Sequence, residues 1–516
     1  MNLFAILEEQ ARRAPDRAAI LGQAGLTTFA ELEHSATRLA GAFARRGVAR
    51  GDCVAVLVPV SRDLYLVLLA VVRLGATAVF VEPALGPAEL VRCLERAAPR
   101  AFVGVWRAHL LRLRSRALRD VSLAVVAGRG IVPGAISLED LVRNESPQAS
   151  EPPADDPAAA LLTFTSGTTA APKVVERSHD LLHAQHQVLT SAFPVFTTDR
   201  SLSAAPLFAL HDLAAGATVV LPATGLRSGI PRDARRLVAG LAAQGVTLVR
   251  ANPRFCEVLA DTCEATGTRL PRIRALFVGG APVSASLLEH VRAVVSNAQI
   301  HVAYGSSEAE PIAGILADDV IADAAPLTAL GRGYCVGVLI PPTAAHIEGA
   351  NDTTFFPAPA PPIAPSVGEI VVAGPHVNAT AWHHTGDTGY FDAQGRLWLL
   401  GREADRVCRA GRTMHPYSVE PLVESLPFVD RCALVGIGDP NSGQRSVLVV
   451  STRGHARIGR ATRARWRDEI ARLCASHGLP IDEIRWTDAI PLDARHRSKV
   501  RREEIRRELL STVASR

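Results

Sequence analysis

Hydrophobic positions in the first 140 residues alternate between two spacings, one typical of helices and one typical of strands. A helical spacing runs through residues 29–46, and a turn and a buried strand follow within VARGDCVAVLVP. The longest apolar stretch, residues 64–81, is interrupted by Arg73 and Gly75, so it predicts a buried helix and strand instead of a membrane span. Repeated alternation of this kind indicates a parallel sheet with helices on both faces.

Strand patterns continue in the second part of the chain and then give way to a different composition. GVTLVRANPRF, IRALFVGGAPVS and VGEIVVAGP each predict a strand, and HTGDTGYFDAQGRLWLLGREADRV predicts a hairpin with the turn DAQG. The proline-rich segments 146–157 and 351–366 predict a surface linker and an irregular excursion. After Arg402 the elements are shorter and more charged, which predicts one domain at 1–401 and another at 402–516.

Composition and charge argue against several classes of protein. The 516 residues include 56 Lys and Arg against 51 Asp and Glu, a mixed balance that does not indicate a nucleic-acid partner. A hydrophobic content of 48% with only 5% aromatic residues is typical of a soluble α/β protein. Eight scattered cysteines argue against a disulfide framework or a zinc site, so we expect a reducing, cytoplasmic location. The segment MNLFAILEEQARRAP predicts an amphipathic helix and not a signal peptide.

The segment LLTFTSGTTAAPKVVERSH, residues 161–179, is a candidate phosphate-binding loop. An apolar strand leads into it, and after Pro172 the chain becomes polar and compatible with a helix. Gly167 lets the backbone approach a ligand closely, and Lys173 adds a positive charge. The hydroxyls and amides that can donate to phosphate oxygens belong to Thr165, Ser166, Thr168 and Thr169. The spacing is not that of the nucleoside-triphosphate motif, and taken alone the segment is more typical of a Ser/Thr-rich surface turn.

Two further motifs follow predicted strands. IRALFVGG ends in the pair Gly279 and Gly280, at the carboxyl end of a strand where sheet proteins place ligands. AYGSSEAEP begins at Ala303. GRGYCVGVLIP does not match a dinucleotide-binding fingerprint, because the sixth position of the fingerprint is occupied by Val336.

Together, TSGTTxxPK, YGxxE, TGDxGYxDxxGxLxxxGR and a lysine near the C-terminus resemble the adenylate-forming superfamily of acyl-CoA synthetases, adenylation domains and luciferases. The resemblance covers essentially the whole chain. It implies an α/β fold with a large N-terminal domain, made of two αβ-sandwich subdomains and a β-barrel-like subdomain, and a small mobile α+β C-terminal domain. It also implies activation of a carboxylic acid by ATP and Mg²⁺, with release of pyrophosphate.

Within that superfamily, finer details are similar to the olefin β-lactone synthetases of long-chain hydrocarbon biosynthesis. These details are PLFALHDLAAG, YGSSEAEPIAGI, CVGVLIP, GYFDAQGRLWLLGR and IPLDARHRSKVRRE. The narrower resemblance implies that a 3-hydroxy acid is adenylated and that its own β-hydroxyl then attacks the activated carbonyl. The lactone would close without a second substrate.

The superfamily resemblance also implies a role for each matched residue. Glu308 matches the magnesium ligand, although Glu310 is close enough in sequence to be confused with it. Lys499 matches a lysine that reaches from the small domain to the carboxylate and the α-phosphate, although its surroundings also suit a solvated helix. With Lys173 these two residues form the catalytic set.

The nucleotide-binding set is larger. It comprises Gly279, Gly280 and Ala281 beneath the purine, Tyr304 stacked on adenine with Gly305 and Ser307 in the same motif, Asp387 and Arg402 on the ribose, Lys499, and the loop residues Thr165, Ser166, Gly167, Thr168, Thr169 and Lys173.

Three positions depart from the superfamily pattern. Ala170 and Val174 stand where the loop usually has glycine, which favours, as an alternative, a non-catalytic homologue that binds a nucleotide. Ala404 stands where the interdomain hinge usually has Asp or Lys. A hinge without that side chain is easier to reconcile with a reaction that needs no second substrate.

An acyl pocket is expected around PLFALHDLAAG. His211 in this segment could serve as a base or line the pocket, but a lone histidine is more often structural. Arg250, Asn252, Pro253 and Phe255 are expected near the same pocket. The acceptor of the activated acyl group is an internal hydroxyl or, alternatively, the thiol of CoA or of an acyl carrier protein.

Overall fold

The computed structural model describes residues 3–23, 25–81, 85–144, 159–165, 173–227, 229–351, 354–357, 365–453, 459–493 and 499–514. The predicted linker at 146–157 and most of the candidate phosphate loop lie outside these ranges.

The first part of the chain alternates helices and strands, as its hydrophobic pattern predicts. The elements are α1 Leu3–Arg13, β1 Ala18–Gly22, β2 Gly25–Thr28, α2 Phe29–Arg45, β3 Cys53–Leu57, α3 Arg62–Leu74, β4 Thr77–Phe80, α4 Pro87–Ala97, β5 Ala101–Gly104, a 3-10 helix Ala108–Arg114, α5 Arg116–Arg119, β6 Leu123–Val126, β7 Ile136–Ser137 and α6 Leu138–Asn144. Thr28 and Glu31 form a reciprocal capping box at the start of α2. Helix α3 ends at Gly75, whose φ of 71° lies in the left-handed region.

The predicted division of the apolar stretch 64–81 is confirmed, because α3 ends before β4 begins. In the described part of the chain, no helix combines the length and the apolar character that a membrane span requires.

The middle part of the chain contains the strands that lead to the predicted ligand-binding motifs. Its elements are β8 Ala159–Thr165, β9 Lys173–Ser178, α7 His179–Ala192, β10 Arg200–Ser203, α8 Pro206–Ala214, β11 Thr218–Val220, β12 Leu226–Arg227, β13 Ile230–Pro231, α9 Ala234–Ala243, β14 Leu248–Ala251, α10 Pro253–Thr266, β15 Ala275–Gly279, α11 Ala285–Val294, β16 Gln299–Tyr304 and β17 Ala313–Leu316. The residues after Lys173 form strand β9, antiparallel to β8, and the helix compatible with this sequence begins only at His179.

The next elements are mostly antiparallel strands. They are α12 Ala317–Asp319, a π-helix Val320–Ala324, α13 Ala325–Ala329, β18 Tyr334–Leu339, β19 Ala344–Asn351, β20 Val367–Ala373, β21 His383–Phe391 and β22 Leu397–Arg402. The predicted hairpin is confirmed, since β21 pairs with β22 and Gly395 donates its N–H to the carbonyl of Asp392 across the DAQG turn.

The C-terminal part forms a small sheet with flanking helices, in agreement with the predicted α+β character. Its elements are a 3-10 helix Glu403–Asp405, β23 Val407–Arg409, β24 Arg412–Met414, α14 Pro416–Glu424, β25 Val429–Asp439, β26 Gly443–Thr452, α15 Arg460–Ser476, β27 Glu483–Trp486 and α16 Arg502–Ala514. The strand order is β24, β23, β26, β25, and β27 pairs with β26.

Two larger sheets contain most of the remaining strands, β12 and β13 pair with each other in a separate two-stranded sheet, and the predicted α/β fold is confirmed. The first runs β7, β6, β5, β3, β4, β8, β9, and all its pairs are parallel except β8 with β9. The second runs β19, β20, β21, β22, β18, β17, β16, β15, β14, β10, β11, β1, β2. Its neighbours from β16 back to β1 pair in parallel, whereas the strands from β17 to β22, where a barrel-like subdomain was expected, continue it as antiparallel neighbours.

The two larger sheets share a hydrophobic core. Phe43 of α2 and Leu68 of α3 pack in the same cluster as Val56 from the first sheet and Val219 from the second. The helices are therefore covered on two sides, which explains why α3 is apolar on nearly all faces. This packing holds the carboxyl ends of the parallel strands in fixed positions, where ligands bind in open α/β sheets.

Candidate active site

A cavity of about 3080 Å³ is lined by both large sheets and by the C-terminal part of the chain. Val56 and Phe164 line it from the first sheet, Val278 from the second, and Tyr417 from α14. The predicted site residues on its wall are Gly279, Gly280, Ala281, Tyr304, Gly305, Ser307, Glu308, Asp387, Arg402 and Lys499. The structure thus brings together residues that the sequence places more than two hundred positions apart.

The strand that leads into the candidate phosphate loop lines this wall. Ser166, Gly167, Thr168 and Thr169 lie outside the described residues, as do the side chains of Thr165 and Lys173. Thr165 is the last residue of β8 and pairs in register with Lys173, the first residue of β9. Thr163 and Phe164, just before the loop, line the cavity. The roles of the loop residues stay predictions.

The turn after β15 brings two neighbouring strands into close backbone contact. A Cβ atom placed on Gly279 would lie 2.5 Å from the carbonyl oxygen of Ala303 on β16. Gly280 follows with φ of 85°, a left-handed conformation that glycine adopts without strain. This part of the wall is therefore bare backbone, which a flat ligand can approach closely.

Replacing Gly279 with alanine is expected to lower stability by about 1–3 kcal/mol, because the new methyl group meets a backbone oxygen that cannot rotate away. The midpoint of thermal unfolding, followed by circular dichroism, measures the effect. Gly438→Ala is the matched control, since a Cβ on that strand glycine meets nothing within 4 Å. If Gly279→Ala and Gly438→Ala had the same unfolding midpoint, the close-contact explanation would be contradicted.

Tyr304, Asp387 and Arg402 form a hydrogen-bonded group at the end of β16 and in the β21–β22 hairpin. The Tyr304 hydroxyl donates to Oδ2 of Asp387 at 2.8 Å, and Nε of Arg402 lies 3.0 Å from Oδ1 of Asp387. Arg402 also donates to the carbonyl of Thr385 at 3.0 Å, and Asp387 donates its N–H to Oγ1 of Thr385 at 3.1 Å. The register of the hairpin, which pairs Asp387 with Arg402, sets this arrangement.

Electrostatics keeps the Tyr304 hydroxyl and the Arg402 guanidinium protonated. Burial, reinforced by the Asp387 carboxylate, raises the pKa of Tyr304 well above its usual value, so its hydroxyl remains a donor. The same carboxylate raises the pKa of Arg402. An ionised carboxylate offers about four lone-pair sites, so Asp387 has room for two further donors, such as the vicinal hydroxyls of a sugar.

Glu308 lies in a turn that is held from three directions. Its N–H donates to Oγ of Ser306 at 3.3 Å, and its carbonyl accepts from the N–H of Asn378 at 2.7 Å. The carbonyl of Ser307 accepts from Nε and Nη2 of Arg177, at 3.0 and 2.8 Å. Because Arg177 belongs to β9, the strand that follows the candidate phosphate loop is tied directly to the turn that carries Glu308.

Arg177 and Asn378 are functional candidates that the sequence reasoning missed. Arg177 is buried although it is charged, and its acceptor lies 130 residues away in the chain. Asn378 also donates from its side chain to the carbonyl of Glu176, at 2.6 Å. No local sequence signal marks either residue, since both act by holding backbone carbonyls.

Lys499 precedes α16 and is exposed to the cavity. Its N–H donates to Oδ1 of Asp493 at 2.9 Å, and its carbonyl accepts from the N–H of Asp493 at 2.8 Å. Three residues later, Arg502 contacts both carboxylate oxygens of Glu420, at 2.6 and 2.7 Å, and Asp405 at 3.5 Å. These contacts connect the segment that carries Lys499 to α14 and to the 3-10 helix at the predicted hinge.

The part of the cavity near α7 and α8 lies where the sequence predicts an acyl pocket, and both apolar and polar side chains line it. Its apolar side chains include Leu182, Leu189, Phe193, Phe208 and Phe277. Its polar side chains include Gln185, His186, His211, Arg250 and Asn252. Pro253 also lines the cavity, whereas Phe255, expected nearby, is fully buried in the core of the second sheet.

Known proteins are similar to this chain over nearly its whole length. A family model described as AMP-binding enzyme matches residues 7–381. An olefin beta-lactone synthetase from Xanthomonas campestris pv. campestris is 31% identical over 549 aligned positions, covering 98% of this chain and 96% of that protein. An olefin beta-lactone synthetase from Stenotrophomonas maltophilia is 32% identical, covering 98% of this chain and 97% of that protein.

A solved structure gives the same fold. The anthranilate CoA ligase AuaEII in complex with anthranoyl-AMP superposes with a TM-score of 0.80 and 19% identity, covering 99% of this chain and 98% of that chain. At this identity the likeness is one of fold alone.

Proposed function

Because this chain belongs to the family of AMP-binding enzymes and is an adenylate-forming ligase, we propose that it adenylates a 3-hydroxy acid and closes it to a β-lactone. The observation that carries the substrate proposal is the similarity to two olefin β-lactone synthetases over 98% of the chain. The resemblance to the adenylate-forming superfamily read from the sequence motifs is confirmed.

In the first half-reaction, a carboxylate oxygen of the acid attacks the α-phosphorus of ATP and pyrophosphate leaves. The adenine would lie between Tyr304 and the bare backbone at Gly279, and Asp387 would accept hydrogen bonds from the ribose hydroxyls. Lys499 would neutralise charge on the carboxylate and the α-phosphate as the two groups approach.

A divalent metal fits the same place. Glu308 supplies a hard carboxylate oxygen on the cavity wall, the donor type that Mg²⁺ prefers, in a turn fixed by Ser306 and Arg177. Bound with the triphosphate, Mg²⁺ supplies neutralisation of phosphate charge. Glu308 would hold the ion and thereby fix where the phosphates lie.

In the second half-reaction, the β-hydroxyl oxygen of the same substrate attacks the carbonyl carbon of the acyl-adenylate. The bond from that carbon to the AMP oxygen breaks, AMP leaves with the electron pair, and the hydroxyl proton is released. The product is a four-membered lactone. The reaction needs no second substrate, so the cavity must hold only one acyl group and one nucleotide.

The alternative acceptor is a thiol of CoA or of an acyl carrier protein, because the sequence motifs resemble a superfamily that includes acyl-CoA synthetases. The neutral Ala404 within the 3-10 helix Glu403–Asp405 favours the lactone instead. A thioester-forming ligase of this superfamily swings its C-terminal domain to admit the thiol, and Ala404 lacks the charged side chain usual at that hinge.

Incubation of the full-length protein with ATP, Mg²⁺ and pairs of acids that differ only in a 3-hydroxyl separates these functions. We expect pyrophosphate and AMP from the 3-hydroxy acids, and a product that mass spectrometry finds lighter than the acid by one water. Adding CoA should leave this product unchanged.

Two results would overturn the proposal in different ways. Thioester formation from an unsubstituted acid and CoA, with no dehydrated product, would favour the thiol ligase. Absence of acid-dependent pyrophosphate release from any of the acids would favour the non-catalytic homologue.

A further inference from the structure

Two histidines in the acyl part of the cavity are hydrogen-bonded to each other. Nδ1 of His186, on α7, lies 2.8 Å from Nδ1 of His211, on α8. The rings meet edge to face, with centroids 4.7 Å apart. A hydrogen bond has one donor, so when both rings are neutral they carry opposite tautomers.

Both rings are neutral at neutral pH. Burial lowers the pKa of His186 to about 4, and burial followed by the nearby Arg250 cation lowers the pKa of His211 well below its usual value. The pair is therefore a neutral polar group in the wall of the cavity.

One nitrogen of this pair and one nitrogen of the nearby Arg250 are buried and lack a partner among the described residues. Within the described ranges, neither Nε2 of His211 nor Nη2 of Arg250 has a hydrogen-bond partner. The residues are only 7% and 4% exposed, and both line the cavity. A buried polar atom left unpaired is unfavourable, so a ligand that supplies the missing hydrogen bonds gains affinity from both atoms.

The positive charge of Arg250 is already balanced. Its Nε lies 3.0 Å from Oδ1 of Asp212, a fully buried carboxylate that also accepts from the hydroxyl of Ser201. The guanidinium lies over the ring of Phe277, 4.5 Å from its centroid. Because Asp212 already neutralises Arg250, a carboxylate of the ligand would gain little electrostatic attraction at this site. The site therefore suits a neutral hydrogen-bonding group.

We propose that His211 Nε2 and Arg250 Nη2 bind a hydroxyl group on the acyl chain and so select a hydroxy acid over an unsubstituted one. A hydroxyl donates and accepts, so it satisfies either tautomer of His211 while accepting from Arg250. A methylene group in the same place satisfies neither atom. His186 acts as a positioning residue, because its hydrogen bond fixes the orientation of the His211 ring.

This inference rests on the proposed function, in which the hydroxyl is the one at carbon 3. It adds a recognition site within the acyl pocket, formed by α8 and β14. The same contact would exclude plain fatty acids before ATP is consumed, because the adenylation step would discriminate against them.

The test compares kcat/KM for pyrophosphate release with 3-hydroxydodecanoic acid and with dodecanoic acid, in wild-type protein and in His211→Phe. Wild-type protein should prefer the hydroxy acid by about tenfold or more, since sites that bind a substrate hydroxyl reject analogues without it. His211→Phe keeps a planar ring of similar size, and its preference should fall to within about twofold of unity. His211→Gln, which retains a donor and an acceptor, should show an intermediate preference.

The control is His109→Leu, which removes a buried histidine that bonds the carbonyl of Val125 at 3.1 Å in another part of the fold. It should lower the melting temperature and leave the preference unchanged. A merely structural role for His211 would slow both acids equally, and the ratio would not move.

Equal use of the two acids by wild-type protein would overturn the hydroxyl site while leaving adenylation intact, and this comparison needs no variant. An unchanged ratio in His211→Phe would also overturn it. If neither acid causes pyrophosphate release, at this chain length or at longer ones, the result would instead contradict the proposed function on which the hydroxyl site rests.

Discussion

Replacing Lys499 with alanine is expected to reduce kcat for acid-dependent pyrophosphate release by about 100- to 1000-fold, because one preorganised charge on the reacting groups is lost. The KM for ATP should change little, since the adenosine part of the nucleotide is proposed to be held by Tyr304, Asp387 and Arg402. Stability should change little, because the side chain is exposed and the two hydrogen bonds between Asp493 and the backbone of Lys499 do not depend on the ammonium group. Initial rates at saturating ATP and acid, with a thermal melt of each protein, measure these effects.

The alternative, that Lys499 is a solvated charge on a helical segment, makes a different prediction. Lys499 and Lys173 are the only two lysines among 56 basic Lys and Arg residues, so solvated surfaces of this protein use arginine throughout. Lys499→Arg keeps the charge but replaces a compact ammonium with a planar fork, and it should lose nearly as much activity as the alanine variant. Near-wild-type activity of Lys499→Arg would contradict the catalytic role. Arg465→Ala, which changes an exposed residue on α15, is the control and should leave kcat and KM unchanged.

Elements with a strong local pattern were predicted correctly from the sequence. The division of residues 64–81 into α3 and β4 follows from Arg73 and Gly75, and Gly75 indeed caps the helix. The β21–β22 hairpin follows from alternation around a DAQG turn. In each case the determining residues are neighbours in the chain, so the pattern contains the information.

Elements determined by distant contacts were not predicted. Strand β9 looks helix-compatible because Glu176 and Arg177 are charged. Arg177 is nevertheless buried, and it donates to the carbonyl of Ser307, which lies 130 residues away in the chain. The pair His186 and His211 is separated by 25 residues, and sequence alone gave only a lone histidine. Tyr304 and Asp387 are brought together across 83 residues, and only the family resemblance placed them in one site.

Replacing Glu308 with glutamine is expected to lower kcat/KM for ATP by at least about 100-fold at millimolar Mg²⁺, because a neutral amide is a poor ligand for a hard cation. The change preserves shape, and the turn is held through the backbone N–H and carbonyl of Glu308, which bond to Ser306 Oγ and to the N–H of Asn378, so folding should be preserved. Rates measured over a Mg²⁺ titration should show a weaker apparent metal affinity and partial recovery at high Mg²⁺.

Glu310→Gln decides between the two candidate carboxylates, because both side chains line the cavity. The carbonyl of Glu308 is held by Asn378 and the preceding carbonyl by Arg177, which connects this turn to the strand after the phosphate loop. Glu310 lies after the two carbonyls that Asn378 and Arg177 hold. The Glu310→Gln variant should therefore stay within about threefold of wild-type kcat/KM at every Mg²⁺ concentration. If the Mg²⁺ dependence shifted in Glu310→Gln and not in Glu308→Gln, the metal ligand would be Glu310, and the turn would serve only to shape the wall.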